Sequence, residues 1–308
     1  MGRAIRIGLN DLDHPKFRFD EPSISAKGIL VNGSSELVNE TAVDARRPHG
    51  PNDNVFDLAG QVAVVTGGGI GIGRATALVL AAHGATVVLA SRKTENLDAV
   101  ADEVVSAGGR AVVHTVDVSD RTACNALVES TLRDLGRLDI LVNNAGGSRS
   151  RDDAMWTDDD WDRMMNLNLR SVWLLSRVAA AAMAEGNGGA IVNIASGAAI
   201  TPRPLHAPYG TAKAGVIHLT SILAAEFGPR GVRVNCIAPG LIRTEGFVRA
   251  MTLLGRDPDD QSSRVPVGRP GDPFEIAYPI LFLASRAASY VHGETLYIGG
   301  GPRYWTGQ

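Results

Sequence analysis

Cysteine is nearly absent: Cys124 and Cys236 are the only two in 308 residues. So few exclude a disulfide framework. With Cys236 inside the apolar run Val234-Asn235-Cys236-Ile237-Ala238, both are read as reduced core thiols of a cytoplasmic protein. No run of about eighteen apolar residues is present, so no membrane-spanning helix is expected. An excess of one charge is also missing. Thirty Lys and Arg stand against 33 Asp and Glu, a formal net charge of −3, and their interspersed placement offers no basic field for nucleic acid. No metal site is expected, and there is neither a low-complexity tract nor a repeat of solenoid period. Residues 1–55 lack the order of the rest. Their scattered Pro, Gly, Ser and Asn carry Asp11, Asp13, Asp20, Glu21, Glu36 and Glu40 with only short apolar pieces such as Ile29-Leu30-Val31. The acids argue against a transit peptide, and the missing apolar h-region argues against secretion. The segment is expected to be a mobile arm or a subunit-contacting extension ahead of a single domain over 56–308.

What is present is alternation. The chain is 44% apolar, enough for one large core. Strand patterns near 62–66, 85–91, 110–117, 138–143, 190–196, 232–238 and 295–298 alternate with helical patterns near 71–83, 94–107, 120–135, 158–186, 207–228 and 272–285. That order predicts an α/β fold in three layers, a doubly wound parallel sheet of about seven strands with helices on both faces. Ligands of such sheets bind where loops converge at the carboxyl ends of the strands.

The first strand runs into Thr66-Gly67-Gly68-Gly69-Ile70-Gly71-Ile72-Gly73 and then a helix. Glycines at 67, 71 and 73 let the backbone turn tightly and bring a phosphate against the N–H groups of the helix start. Farther on, Ser196 precedes Tyr209 by thirteen residues, and Tyr209-Gly210-Thr211-Ala212-Lys213 opens a long helical pattern. Residues four apart share a helix face, so the ammonium of Lys213 can sit beneath the phenol of Tyr209. A cation and a neighbouring hydroxyl are what would bring a phenol from its usual pKa of about 10 toward working pH. This is acid/base chemistry.

With these residues in hand, the chain from about 56 to 301 resembles the short-chain dehydrogenase/reductase family. Thr66-Gly67-x-x-x-Gly71-Ile72-Gly73 is similar to its cofactor loop, and Asp117 with Val118 to its adenine-contacting acid and the residue after it. Asn143-Asn144-Ala145-Gly146 resembles the segment that steadies the central strand beside the cofactor. Asn168 stands where the family has its helix asparagine, and Ser196, Tyr209 and Lys213 match the catalytic set. Pro239-Gly240-Leu241-Ile242-Arg243-Thr244 is similar to the segment that holds the nicotinamide carboxamide. The resemblance implies a Rossmann-type, NAD(P)-binding catalytic domain. It implies Tyr209 as general acid/base, Ser196 holding the substrate oxygen, Lys213 on the nicotinamide ribose and Asn168 holding a relay water. It also implies a homotetramer, or a homodimer as the alternative.

The choice of cofactor follows from Ser91-Arg92-Lys93 after the second strand, where a hydroxyl and two cations replace the acid that would repel a 2′-phosphate. NADP(H) is expected, with NAD(H) the alternative; Ile70 stands where many NADP-preferring members have a basic residue. The substrate side is expected to come from Gly147–Met155, Gly197–Ala207 and Leu241 to about Gln261. There Ile200, Pro202, Leu205, Phe247 and Met251 suggest an apolar pocket, and Arg149, Arg151, Arg203, Arg243 and Arg249 offer charge to an acyl carrier. The expected reaction interconverts a carbonyl and a secondary alcohol on a hydrophobic or acyl-type small molecule, an acyl thioester among the candidates. The alternatives are a 2,4-dienoyl-CoA or enoyl-CoA reductase and a cofactor-sensing binding protein without turnover. Gly299 departs from the family pattern, which has an acid before its Gly-Gly pair.

Overall fold

The computed structural model describes residue 50 and residues 52–148, 156–253, 255–259 and 265–302. The expected arm over 1–55 falls almost entirely outside these residues, as do Arg149, Arg151, Met155 and Gln261 of the expected substrate loops.

The strands β1 (Val62–Thr66), β2 (Thr86–Ser91), β3 (Arg110–Thr115), β4 (Ile140–Asn143), β5 (Gly189–Ile194), β6 (Val232–Pro239) and β7 (Thr295–Ile298) form one seven-stranded sheet in the order β3-β2-β1-β4-β5-β6-β7. All pairings between these strands are parallel. Helices α1 (Gly71–Ala82), α2 (Thr94–Ser106), α3 (Arg121–Leu135), α4 (Asp158–Met165), α5 (Ser171–Glu185), α6 (Ala207–Phe227), α7 (Glu245–Leu253) and α8 (Phe274–Ala284) connect and cover it.

The central strands are apolar at nearly every position because both faces are covered. Ala63 and Val65 of β1 join a core with Leu80 of α1, Leu97 of α2 and Ile280 of α8. Val62 and Val64 turn the other way, into a core with Leu127 of α3, Leu175 of α5 and Leu223 of α6. The three expected layers follow directly from this two-sided burial. The sheet order places β4 beside β1 on the side away from β2, which makes their adjacent carboxyl ends the switch point of the fold.

Two stretches differ from the sequence expectation. The pattern over 158–186 is not one helix: α4 passes through a five-residue π turn, Asn166–Arg170, before α5 begins. Within it the Asn168 amide donates to the Met164 carbonyl at 3.1 Å, competing for the acceptor that α-helical pairing would give to Asn168's own N–H. The second is α7, which the loop reading of 241–261 did not contain. Its start is marked by Thr244, whose hydroxyl accepts from the Phe247 N–H at 3.2 Å, with Glu245 in the first turn.

Candidate active site

At the end of β1 the backbone of Gly67 has φ of +67° and that of Gly71 +54°, conformations a side chain would strain. A Cβ at position 73 would lie 2.1 Å from the Gly67 carbonyl oxygen and 2.6 Å from the Asn144 amide nitrogen, so only glycine lets α1 approach so closely. Ile70 precedes α1 without any side-chain cap. The helix therefore begins with N–H groups left for a ligand, in a cradle a side chain would fill, and both features suit a pyrophosphate.

Across the switch point Thr66 and Asn144 lock this loop to the end of β4. The Thr66 hydroxyl donates to Val142 O (3.2 Å) and accepts from the N–H groups of Asn144 and Ala145 (3.0 Å each), while the Asn144 amide donates to Thr66 O at 2.9 Å. Asn143 steadies the sheet from inside: its amide donates to Ser176 Oγ and Asn193 Oδ1, both at 2.8 Å, tying β4 to α5 and β5. The segment after β6 closes the other side. A Cβ at Gly71 would stand 3.0 Å from Thr244 Cγ2, which puts Thr244 against the glycine loop, and Gly240 N–H donates to Ile298 O at 2.8 Å.

After β2, Ser91 is half-buried while Arg92 and Lys93 are exposed. Arg92 Nη1 stands 3.9 Å from Asp117 Oδ2, so the basic run and the loop after β3 meet at one end of the candidate cofactor site. Asp117 accepts from the Ser119 N–H at 2.9 Å; that bond, the Ser119 hydroxyl and the charge of Arg92 together hold its carboxyl below the usual range. Val118 next to it is buried.

Ser196, Tyr209, Lys213 and Asn168 converge beyond the ends of β4 and β5. Lys213 is 3% exposed; its Nζ donates to Ile194 O at 2.7 Å and lies 5.9 Å from the centre of the Tyr209 ring. Burial pushes this ammonium down to about 8. Tyr209 moves the opposite way: burial raises its phenol, and the hydrogen bond with the Ser196 hydroxyl pulls back against that rise. The net direction in the free protein is therefore up, opposite to the lowering expected from Lys213, because desolvation outweighs the Ser196 hydrogen bond. Asn168 is fully buried; its Oδ1 accepts from Gly147 N–H at 2.9 Å and its Nδ2 donates to Gly147 O at 3.0 Å. A Cβ at Gly146 would be 2.8 Å from Asn168 Oδ1 and 3.2 Å from Lys213 Nζ. Gly146 is thus the point where asparagine and lysine come together.

On the substrate side Ile200 and Phe247 are half-buried, whereas Pro202 and Leu205 are exposed. Arg243 is not a free anion contact, since its guanidinium donates to Asp259 at 2.9 and 3.4 Å. Arg203 and Arg249 are exposed, and Arg149 and Arg151 lie outside the described residues. The departure at Gly299 has a physical reason: a Cβ there would stand 2.3 Å from Tyr297 Oη. The Tyr297 phenol fills the space that an acid at 299 would need. Three residues not singled out by motif are also here. Ser148 Oγ and His206 Nδ1 are 3.0 Å apart, and Trp156 Nε1 donates to Leu205 O at 3.1 Å, joining the loops after β4 and β5. No sequence motif marks this pair, because the partners are separated by 58 residues and only the fold brings them together.

A family model described as enoyl-(acyl carrier protein) reductase matches residues 68–302. The chain is 38% identical over 244 residues to a 3-oxoacyl-acyl-carrier-protein reductase of Thermotoga maritima, covering 79% of this chain and 98% of the relative. Among solved structures, a 7α-hydroxysteroid dehydrogenase complexed with NADH and 7-oxo glycochenodeoxycholic acid is 35% identical with a TM-score of 0.75, covering 80% of this chain and 96% of that one. A candidate 2-deoxy-D-gluconate 3-dehydrogenase from Agrobacterium tumefaciens with bound NADP is 38% identical with a TM-score of 0.73, covering 81% and 98%. The chain belongs to the short-chain dehydrogenase/reductase family. It is an oxidoreductase, of a family whose members carry out NAD(P)-dependent carbonyl and alcohol chemistry. Among the described residues no helix is long and apolar enough to cross a membrane.

Proposed function

We propose that this enzyme interconverts a carbonyl and a secondary alcohol on a small molecule with a hydrophobic skeleton, using NADP(H) in preference to NAD(H). The observation that carries the reading is the meeting of Ser196, Tyr209 and Lys213 beside the glycine loop. When bound, the nicotinamide supplies or accepts the hydride at the substrate carbon. Tyr209, whose burial keeps the phenol protonated, donates its proton to the carbonyl oxygen in the reducing direction. Ser196 holds that oxygen and orients it. Lys213 favours the phenolate left behind and binds the ribose hydroxyls, and Asn168 holds a water through which the proton is replaced. Thr66, Gly67, Gly71, Ile72 and Gly73 would hold the pyrophosphate, and Asp117 and Val118 the adenine. Asn144, Ala145, Gly146, Pro239, Gly240, Ile242 and Thr244 would enclose the nicotinamide half.

A 3-oxoacyl thioester is one candidate substrate, supported by the Thermotoga maritima relative's name. The family model's description names an enoyl reductase instead, but the intact Ser196 and Tyr209 pair favours a carbonyl over a carbon–carbon double bond. Purified protein assayed with NADPH and NADP⁺ against ketones, secondary alcohols, 3-oxoacyl thioesters and enoyl thioesters tests the assignment. Turnover confined to enoyl thioesters would overturn it, and cofactor binding without any turnover would favour the sensing protein. The buried, unpaired Cys124 and Cys236 suit a reducing compartment such as the cytoplasm.

For the cofactor, the guanidinium of Arg92 is 70% exposed and poised at the end of β2. Arg92→Ala is expected to weaken NADPH more than NADH, because only NADPH carries the 2′-phosphate; a charge-assisted bond of this kind is worth about 1.5–3 kcal/mol. Fluorescence titration with both cofactors reads the difference, and equal losses would assign Arg92 to the structure.

For assembly, we propose a homotetramer that uses α5 and α6, with a homodimer as the alternative. On these helices Leu174, Val216 and Leu223 are consumed in the subunit core. Trp173 at 43% and Ile222 at 49% exposed, with half-buried Val178 and Leu219, remain to be covered. Sedimentation at micromolar concentration is expected to show the tetramer, and Trp173→Glu with Ile222→Glu to dissociate it; a wild-type monomer would remove the interface.

A further inference from the structure

We propose that Ser148 and His206 form a clasp that fixes the first turn of α6 against the loop after β4, making His206 a positioning residue for Tyr209. The inference rests on the reading of Tyr209 as the proton donor and adds a residue pair to it.

Lys213 is held from below by Ile194 O, and its Nζ lies where Gly146 leaves room. Gly147 is held through both its N–H and its carbonyl by the Asn168 side chain. Asn168 in turn is fixed by the π turn and by its bond to Met164 O. The loop from Gly146 to Gly147 is therefore anchored on a buried polar group. The next residue, Ser148, reaches across to His206 at 3.0 Å.

His206 stands at the entry of α6, three residues before Tyr209. Its carbonyl accepts the first helical bond, from Gly210 N–H at 2.8 Å, and its side chain makes no capping bond to the helix. Within the first turn, buried Pro208 and the hydrogen bond between Tyr209 and Ser196 hold the helix from the inside, while the residues at its entry are tied across the loops. The residue before it, Leu205, has φ of +67° and is the one non-glycine in the left-handed region among the described residues. Such a conformation costs about 1 kcal/mol and persists where neighbours enforce it. Its carbonyl is held by Trp156 Nε1 at 3.1 Å. Two cross-loop bonds thus hold adjacent residues, 205 and 206, at the point where the chain turns into the helix that carries the phenol. Removing the His206 bond releases that turn on one side while leaving Lys213, Asn168 and the glycine loop in place.

The expected result concerns kcat. His206→Ala should lower kcat about tenfold with the KM for NADPH unchanged, because a displaced phenol affects proton transfer and not cofactor binding. Ser148→Ala should produce the same loss, and the double variant no more than either alone, since both remove one bond. His206→Asn, whose amide can still meet the Ser148 hydroxyl, should recover most of the rate. Hydrogen exchange adds a reading independent of turnover: amide protection over residues 208–213 should fall in His206→Ala and Ser148→Ala alike, and return in His206→Asn. Additive losses in the double variant, or unchanged protection at the start of α6, would overturn the clasp. If the protection changes appear but Tyr209→Phe remains active, the clasp stands as a structural tie and the role of Tyr209 is what fails.

Discussion

Tyr209→Phe is expected to lower turnover about a thousandfold or more while leaving NADPH affinity within about twofold of wild type. The substitution keeps the ring and deletes only the hydroxyl. The ring is what packs here, with Lys213 Nζ 5.9 Å from its centre, so the cofactor side should not notice the change. The hydroxyl is what reacts. Burial raises the phenol's pKa, and the Ser196 hydroxyl opposes that rise, so the free protein holds a protonated donor beside a hydroxyl able to grip the same substrate oxygen. Losing the donor leaves hydride transfer to a carbonyl with no proton to meet the developing charge. Steady-state kinetics on the best substrate, with NADPH binding measured separately, reads both parts. Activity above about a tenth of wild type would mean that another group delivers the proton.

The glycine loop and the Tyr-x-x-x-Lys pair were legible in sequence because each is local: a strand, a turn and a helix start in one case, one helical turn in the other. The sheet was legible for a related reason. Strands covered on both faces are apolar at every position, and Ala63-Val64-Val65 is that pattern. What sequence could not give was the part made by contacts between distant segments. The π turn depends on Asn168 meeting both Met164 and Gly147, and a 3.6-residue period cannot reveal a side chain that displaces a backbone donor. Which apolar residues of α5 and α6 remain for a partner was hidden for the same reason, since Leu174 and Leu223 are as apolar in sequence as Trp173 and Ile222 but are buried in the subunit core. The absence of an acid at Gly299 was visible, yet its cause was not. The ring end of Tyr297, two residues earlier, lies where a side chain at 299 would begin. The helix α7 is a different kind of miss. Its cap at Thr244 and acid at Glu245 are readable signals, but they fall where the cofactor segment ending at Thr244 meets the substrate-side loop expected over 241–261.

Lys213→Met is expected to abolish turnover and, at pH 7, to stabilise the cofactor-free protein. The ammonium is 3% exposed and burial takes its pKa from 10.5 down to about 8. The carbonyl of Ile194 offers one hydrogen bond, and among the described residues no carboxylate contributes to holding the charge. Below pH 8 the lysine is charged both folded and unfolded, and folding bears the full cost of burying it, on the order of 3 kcal/mol for a shift of this size. Between 8 and 10.5 the unfolded chain binds the extra proton, so wild-type stability from this group rises with pH across that window. Methionine fills the same volume with no charge to bury, though it leaves Ile194 O without its donor at a cost of about 1–2 kcal/mol. The net expectation is a gain of about 1–2 kcal/mol at pH 7 that shrinks or reverses by pH 9.5. Urea unfolding of both proteins at the two pH values, at one protomer concentration and without cofactor, measures it. A variant less stable than wild type at pH 7, or a gap that does not change with pH, would show that the buried ammonium is not held at the expense of the fold. Otherwise the enzyme keeps a destabilising charge at the place where the reaction uses it, and bound cofactor, by meeting that charge, should return part of the cost.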